Sequence, residues 1–393
     1  MKRSYDVVIV GGGIAGSATA YFLAAEPAFK GSILVVEKDS TYEYCAAVRS
    51  SGGVRQQWGT PENVTMCLYG AHFIKHVGDY LSVDGEAPEL SFNERGYLFL
   101  ADEANEADLR QKVEVQRANG ARTELVAVET LKARYPWMNT ADLVGACFGP
   151  QDEGWFDPHA LLQGYRRKAR HLGVTYVEDE ATAIGRQGDR VSAVELKKSG
   201  RIGAGIVVNA AGAVNVAKLA ATAGVALPVE PRRRSLFLAD CRTPLPDCPF
   251  TIDASRVWFR PEGAHYICAV APPEDDDPPR EDYDVDYKSF ETVIWPTLAH
   301  RIPAFEALKL IRAWSCHYDH NRLDHNAILG PHPQVKNLHF ATGFSGHGLM
   351  QSPATGRAMM ELIAHGEFRT LDLGRFRFDR LLRNDAVLET AVY

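Results

Sequence analysis

Between residues 5 and 37 the chain reads YDVVIV, GGGIAG, a small-residue stretch ending ATAYFLAA, and, after a loop, SILVVE. No other stretch restricts the fold as strongly. YDVVIV (5–10) is a short unbroken apolar run rich in β-branched residues, the pattern of a strand buried on both faces. SILVVE (32–37) repeats it, and ATAYFLAA (18–25) between them reads as a helix, so the start is a βαβ unit. Gly11, Gly13 and Gly16 place GxGxxG directly between strand and helix. In such a unit the first glycine makes the tight turn. The second lets a pyrophosphate reach the backbone, and the third lets helix and strand pack closely. The helix start at Ile14 and Ala15 offers free N–H groups and the positive end of a dipole to phosphates. Glu37, followed by Lys38, ends the second strand where a carboxylate accepts the ribose hydroxyls of an adenosine. EPAFKG (26–31) makes the spacing to Glu37 slightly long. The competing reading, a glycine-rich turn without a ligand, leaves both strands and the acid unexplained.

The rest of the chain is too long to be this unit alone: 393 residues suffice for two or three domains. Thr60-Pro61 marks a helix start, and Val64, Leu68, Ala71, Ile74, Val77 and Leu81 continue at helical spacing. GYLFLA (96–101) reads as a strand, 105–119 as a charged helix, and 157–174 as a helix opening on Asp-Pro. VSAVEL (191–196) and AGIVVNAAG (204–212) read as strands, followed by strand-like segments at 235–240, 255–260, 265–270 and 309–318. The acid- and proline-rich run EDDDPPREDYDVD (274–286) reads as a solvated loop. LHFAT (338–342) and a helix over about 351–365 close the pattern. Nucleotide-fold features thus occur at both ends and in the middle, with antiparallel stretches between.

A net charge of −7 argues against a nucleic-acid role, where a basic face is the expected footprint. No apolar run reaches the ~20 residues of a membrane span, and Asp6 interrupts the first one, so neither a transmembrane segment nor a cleaved leader is expected. Seven scattered cysteines without a CxxC pair suggest reduced thiols and a cytoplasmic location.

A second glycine cluster lies at GFSGHGLM (343–350), directly before the last helix. Gly343, Gly346 and Gly348, mixed with Ser345 and His347, suggest backbone pressed against a ligand. A dinucleotide spanning from the first strand to this loop must be long. FAD is that long, and no second GxGxxG supplies a separate nicotinamide site.

VVIVGGGIAGSATAYFL, VVNAAGAVNVAKLAATAGVALPVEP (207–231) and GFSGHG before a helix together resemble the FAD-dependent D-amino acid oxidase superfamily, over nearly the whole chain. Its members include sarcosine and glycine oxidases and the sarcosine and dimethylglycine dehydrogenases. SSGGVRQQWGTPEN (50–63), VWFRPEG (257–263), LDHNAILGPHP (323–333) and ATGFSGHGLMQSP (341–353) are similar to a mitochondrial branch linked to respiratory complex I assembly. The resemblance implies an α/β chain, α+β overall. A Rossmann-like FAD-binding domain of glutathione-reductase type (1–90, 153–226 and 326–370) would be interleaved with a mostly antiparallel substrate domain (91–152 and 227–325), and 371–393 would form a C-terminal extension.

It also implies oxidation of the C–N bond of an amino acid or an N-alkyl or cyclic amine, with hydride passing to the flavin. Oxygen, a quinone or an electron-transfer protein would take the electrons. Ala211 and Gly212 fall in the second FAD segment, and Gly343, Ser345, Gly346, His347, Gly348, Leu349 and Met350 under the flavin. Arg55 is a candidate for a substrate carboxylate or the flavin face, the alternative being an exposed arginine. Tyr318 matches an active-site tyrosine of the sarcosine oxidases, or is a core tyrosine. Cys316 matches their covalent flavin attachment, which the complex I-linked branch lacks, or is a packing thiol.

Two departures bear on substrate and acceptor. Met350 stands where those oxidases place a carboxylate-binding lysine, which weakens that clamp or favours a bulkier substrate. HYICAVA (265–271) lacks the lysine that promotes their reaction with oxygen, which favours a dehydrogenase. Alternatives are a non-catalytic FAD-containing assembly factor and an FAD-dependent 2-hydroxy acid oxidoreductase. No metal is expected, because strand alternation divides His317, Asp319, His320, Asp324 and His325 between two faces. Arg232, Arg233 and Arg234 read as a charged strand entry, with one arginine able to reach the flavin region.

Overall fold

The computed structural model describes residues 2–392. Ser4–Val10 lies at the centre of a mixed sheet, parallel to Gly200–Asn209 on one side and Ile33–Glu37 on the other. Leu338–Thr342 and Thr175–Glu178 extend it in parallel, and Ile328–Pro331 closes one edge antiparallel. The apolar runs are unbroken because both faces are covered. Val7, Ile9 and Val35 point into a core shared with helices, whereas Val8, Val10, Leu34 and Val36 point into a second core behind the sheet. Helices Ile14–Ala25, Pro61–Lys75, Pro158–His171 and Gly348–His365 form the first layer. The first and last of these approach so closely that a Cβ on Gly356 would lie 2.8 Å from the Ala18 carbonyl oxygen. The hairpin Ala181–Gln187/Arg190–Leu196 and helix Gly212–Thr222 form the second.

The other large sheet runs, in order, Lys309–Asn321, Val229–Asp240, His265–Ala269, Trp258–Glu262, Phe250–Ile252, Tyr97–Ala101, Gly145–Gly149 and Glu124–Ala127. Its pairings are antiparallel except Phe250–Ile252 with Tyr97–Ala101. Helical turns over 287–301 back it through Phe290, Ile294 and Leu298. A π-helical turn, Phe290–Ile294, precedes Pro296, which has no N–H to give a regular ladder.

Several expected boundaries move. The helix over 61–81 breaks at His76 into Pro61–Lys75 and Val77–Leu81. The strand expected at 235–240 starts at Val229, so Arg232–Arg234 lie inside it rather than at its entry. The partner strand expected at 309–318 continues to Asn321, and the last helix opens at Gly348 rather than 351. The acid-rich run 274–286 is not simply solvated. Asp277 is buried and grips Arg234 through two bonds of 2.9 and 2.7 Å, and Asp282 pairs with Arg233. The run is pinned across the edge strands by charge. Beyond residue 370, Leu373 and Phe376 are fully buried in the helix-side core, and Arg380 holds the buried Asp324 at 2.7 Å.

His339 lies in the parallel strand Leu338–Thr342, buried with its Nδ1 unpartnered. Burial pushes its imidazole down to about 4. Its native pKa is therefore below the unfolded value of ~6.5, so it costs stability as pH falls through 6.5 towards 4, where only the unfolded chain takes the proton. Replacing it removes that cost. His339→Phe should gain about 2 kcal/mol relative to wild type on going from pH 7 to pH 5, measured by denaturant titration. An equal difference at both pH values would contradict the burial argument.

Candidate active site

A long cleft follows the carboxyl ends of the parallel strands, the usual ligand position in such sheets. At one end Gly11 has φ +98°, and a Cβ there would lie 2.2 Å from the Ala210 carbonyl oxygen, so only glycine fits. Gly13, Ile14 and Ala15 line the cleft, and the helix they open has no side-chain cap and no acid in its first turn. Its exposed N–H groups are thus available to an anion. Gly16 stands behind the cleft, where a Cβ would meet the Gly11 carbonyl oxygen at 1.9 Å; its role is packing. The Glu37 carboxylate accepts from Gly12 N–H at 2.8 Å and Asp39 N–H at 3.0 Å, which fixes it at the rim. Burial raises its pKa, with those two N–H groups opposing. Lys38, Ala211 and Gly212 also line this end.

The other end is built by the loop 343–348. Gly343, Ser345 and Gly346 have φ of +75°, +50° and +98°. One side chain holds this conformation. The Asp319 carboxylate accepts from Gly343 N–H at 2.7 Å and the Thr342 hydroxyl at 3.2 Å, while its carbonyl accepts from Ser345 N–H at 3.1 Å. Ser345 Oγ in turn accepts from Asn321 N–H at 3.0 Å. Burial holds the Asp319 carboxyl up at about 6. The turn lays Gly346 on Tyr318: a Cβ there would lie 2.6 Å from the ring. Gly346, Gly348 and Leu349 line the cleft, and helix Gly348–His365 also starts without a side-chain cap or an acid. Gly343 and Ser345 act one step removed, as the frame of the turn. His347 is buried against Trp58, ring centroids 4.0 Å apart, and neither ring nitrogen has a partner. Burial, then the Arg55 charge, keeps it well below the usual histidine range, hence neutral.

Tyr318 and Gly346 separate the cleft from two smaller cavities. Met350, buried, lines both. Arg55 lines one and is buried, not exposed as in the alternative reading. Its guanidinium lies 3.5 Å from the Trp58 ring centroid and donates to the carbonyls of Gln57 and, at 2.6 Å, Ala391. Arg234 lines the other, 5.0 Å from the Tyr318 ring centroid, steadied by Asp277. Cys316 lies beside Arg234 on the neighbouring strand, where burial pushes its thiol up to about 12. Burial likewise holds the Tyr318 phenol at about 12.

Trp58, Tyr97, Trp258 and Asp319 belong to the site but were not picked out for it from sequence. Trp58 sits three residues after Arg55, at a spacing that suits stacking; Asp319 was weighed only as a metal ligand. The five residues of that weighed set do not converge. His317 Nε2 pairs with the Asp282 carbonyl, Asp319 with the turn, and Asp324 with Arg380. Only His320 and His325 approach each other, with Glu274, within 4.8 Å, and Arg232, Arg234 and Arg322 bear on His320.

Because Asp319 supplies the acceptor for both Thr342 and Gly343, Asp319→Ala should cost about 1–3 kcal/mol in unfolding free energy. Chemical denaturation measures it; a loss no larger than an ordinary surface change, about 0.5 kcal/mol, would contradict the anchoring role.

The sequence model of the DAO family, described as FAD dependent oxidoreductase, matches residues 6–362. The FAD-dependent oxidoreductase domain-containing protein 1 of Bos taurus is 41% identical over 98% of this chain and 87% of its own. Sarcosine oxidase subunit beta of Arthrobacter sp is 26% identical, over 97% and 93%. The solved L-proline dehydrogenase from P. horikoshii superposes with a TM-score of 0.85 at 25% identity, covering 98% of this chain and 99% of that one. The site fits the FAD that the family's description names: two uncapped helix starts, a rim carboxylate and two stretches of side-chain-free backbone lie along one cleft. The chain belongs to the DAO family of FAD-dependent oxidoreductases, with FAD as its cofactor.

Proposed function

We propose that the protein oxidises the C–N bond of a carboxylate-bearing amine, an amino acid or an N-alkyl or cyclic amine, as a dehydrogenase. The observation that carries this reading is the pair of buried arginines, Arg55 and Arg234, facing cavities across Tyr318 and Gly346 from the cofactor cleft. FAD held in that cleft by the Gly11–Ala15 turn, Glu37 and the 346–349 backbone would supply the chemistry, taking up the hydride equivalent from the carbon beside nitrogen.

The protein's own groups bind and orient. Arg55, over the Trp58 ring, carries N–H donors in the fork arrangement that suits a carboxylate. Tyr318, held protonated, offers a hydroxyl. His347 adds no charge at neutral pH, so it does not compete with a substrate ammonium. Met350 lends apolar surface where the resembling oxidases carry a cation, which suits a substrate bulkier than sarcosine. The uncapped start of Gly348–His365 directs N–H groups at the cleft, where they favour negative charge. The Cys316 thiol, held protonated by burial, favours non-covalent FAD. Ala269, Val270 and Ala271 line the cavity beside Arg234 without a lysine, which supports the dehydrogenase reading.

Anaerobic mixing with a panel of amino acids and N-alkyl amines should bleach the visible flavin band for at least one of them. Reoxidation should be faster with an artificial acceptor than with oxygen. For that substrate, Arg55→Met should raise KM by roughly 10–100-fold, the value of a lost charge-assisted bond, with a smaller change in kcat. A panel that bleaches nothing, or an unchanged KM, would refute the reading.

A further inference from the structure

Arg55 already has an occupant, and it comes from the far end of the described chain. The segment 387–392 is tied down in two parts. In the first, Val387 N–H donates to Asp324 at 3.1 Å and Glu389 N–H donates to the Asp324 carbonyl at 3.0 Å. The fully buried Glu389 carboxylate accepts from Gly59 N–H at 3.1 Å, Thr60 N–H at 2.9 Å and Asn63 Nδ2 at 3.0 Å. That carboxylate closes the start of helix Pro61–Lys75, where the Thr60 side chain does not cap. It is a permanent anchor, since removing it strands buried N–H groups.

The second part differs. Thr390 is exposed, and the chain then turns inward so that Ala391 is 1% exposed. The Ala391 carbonyl accepts from Arg55 Nη2 at 2.6 Å, and the Val392 carbonyl accepts from Arg256. Arg256 stands two residues before Trp258, which shares a cavity wall with Arg55, Trp58 and Met350. The segment therefore runs from the anchored helix start, past Arg55, to Arg256, two residues from the cavity-lining Trp258. There its carbonyls, neutral acceptors, take guanidinium N–H groups, while Ala391 N–H donates to Glu389 Oε1 at 2.8 Å, the bond that release of this second part breaks. A carboxylate is the stronger acceptor for a guanidinium, because the bond is charge-assisted at both ends and two-pronged.

We propose that residues 390–392 form a strap that covers the substrate side and competes with the substrate carboxylate for Arg55, swinging about Thr390 while Glu389 stays seated. This rests on the reading of Arg55 as the carboxylate site. The strap makes the apparent affinity for any carboxylate weaker than the intrinsic one, by the fraction of molecules with the strap released. It also discriminates against ligands that lack a carboxylate, since only a carboxylate repays the displaced carbonyl.

Benzoate is a suitable probe, because it carries a carboxylate and cannot be oxidised at a C–N bond. In the full-length holoprotein, saturating benzoate should speed hydrogen exchange of the peptide covering 390–392 by about tenfold or more, leaving the 387–389 amides protected. A chain ending at Glu389, titrated through the visible flavin band, should bind benzoate roughly tenfold more tightly than the full chain. Unchanged exchange on benzoate binding, equal affinity of the two chains, or no benzoate binding to either would overturn the strap; the exchange arm stands even if the shortened chain does not fold. Turnover of the amine panel by the full chain separates the two claims. Amine oxidation with a static strap refutes the strap alone, and strap release by benzoate without oxidation of any amine refutes the proposed reaction alone.

Discussion

The contact of Asp319 with the turn at Gly343–Gly346 joins the two halves of the molecule. Asp319 belongs to the edge strand of the antiparallel sheet, and the turn leaves the parallel sheet at Thr342. One buried carboxylate thus decides where the backbone of the turn lies relative to the strand that carries Cys316 and Tyr318. It also supports three residues of positive φ within four positions, Gly343, Ser345 and Gly346. Without that support the turn would have no reason to hold Gly346 against the Tyr318 ring, and the cleft and the two smaller cavities would have no common wall.

The same economy appears in the charges. Around Tyr318, basic groups are buried on one side and acids are brought in from elsewhere to hold them. Arg234 is braced by Asp277, whose run of acids crosses the strand edges, and Arg55 is braced by stacking on Trp58. Two cavities, each with one fixed arginine and with apolar walls that include Trp258 and Met350, suit an anionic ligand with an apolar body. His347 and Tyr318, kept neutral by burial, add polarity without charge.

The parallel sheet and the adenosine end of the site were legible because their causes are local. A strand buried on both faces must be continuously apolar, as in Val7–Val10, and a tight turn pressed on a neighbouring carbonyl must lack Cβ, as at Gly11. The loop 343–348 was legible for the same reason: glycines that close together need an external cause. What could not be read was pairing at a distance. The Arg55 partner lies 336 residues along the chain. Arg234 faces Cys316 only because the long strands pair in one register, and it meets Asp277 only because the acidic run folds back. A run of acids looks solvated until the arginines opposite it are placed. The strand Glu124–Ala127, short and mostly exposed, carries too weak a pattern to register at all.

The central claim is that one cleft, from Glu37 to Gly346, orders FAD so that its reacting ring abuts the arginine-lined cavities across Tyr318. A crystal structure of the holoprotein soaked with a carboxylate-bearing amine tests it most directly. The adenosine hydroxyls should lie at Glu37, the ring edge against the backbone of 346–350, and the ligand carboxylate on Arg55. A flavin ring outside this wall, or a carboxylate bound away from both Arg55 and Arg234, would contradict it.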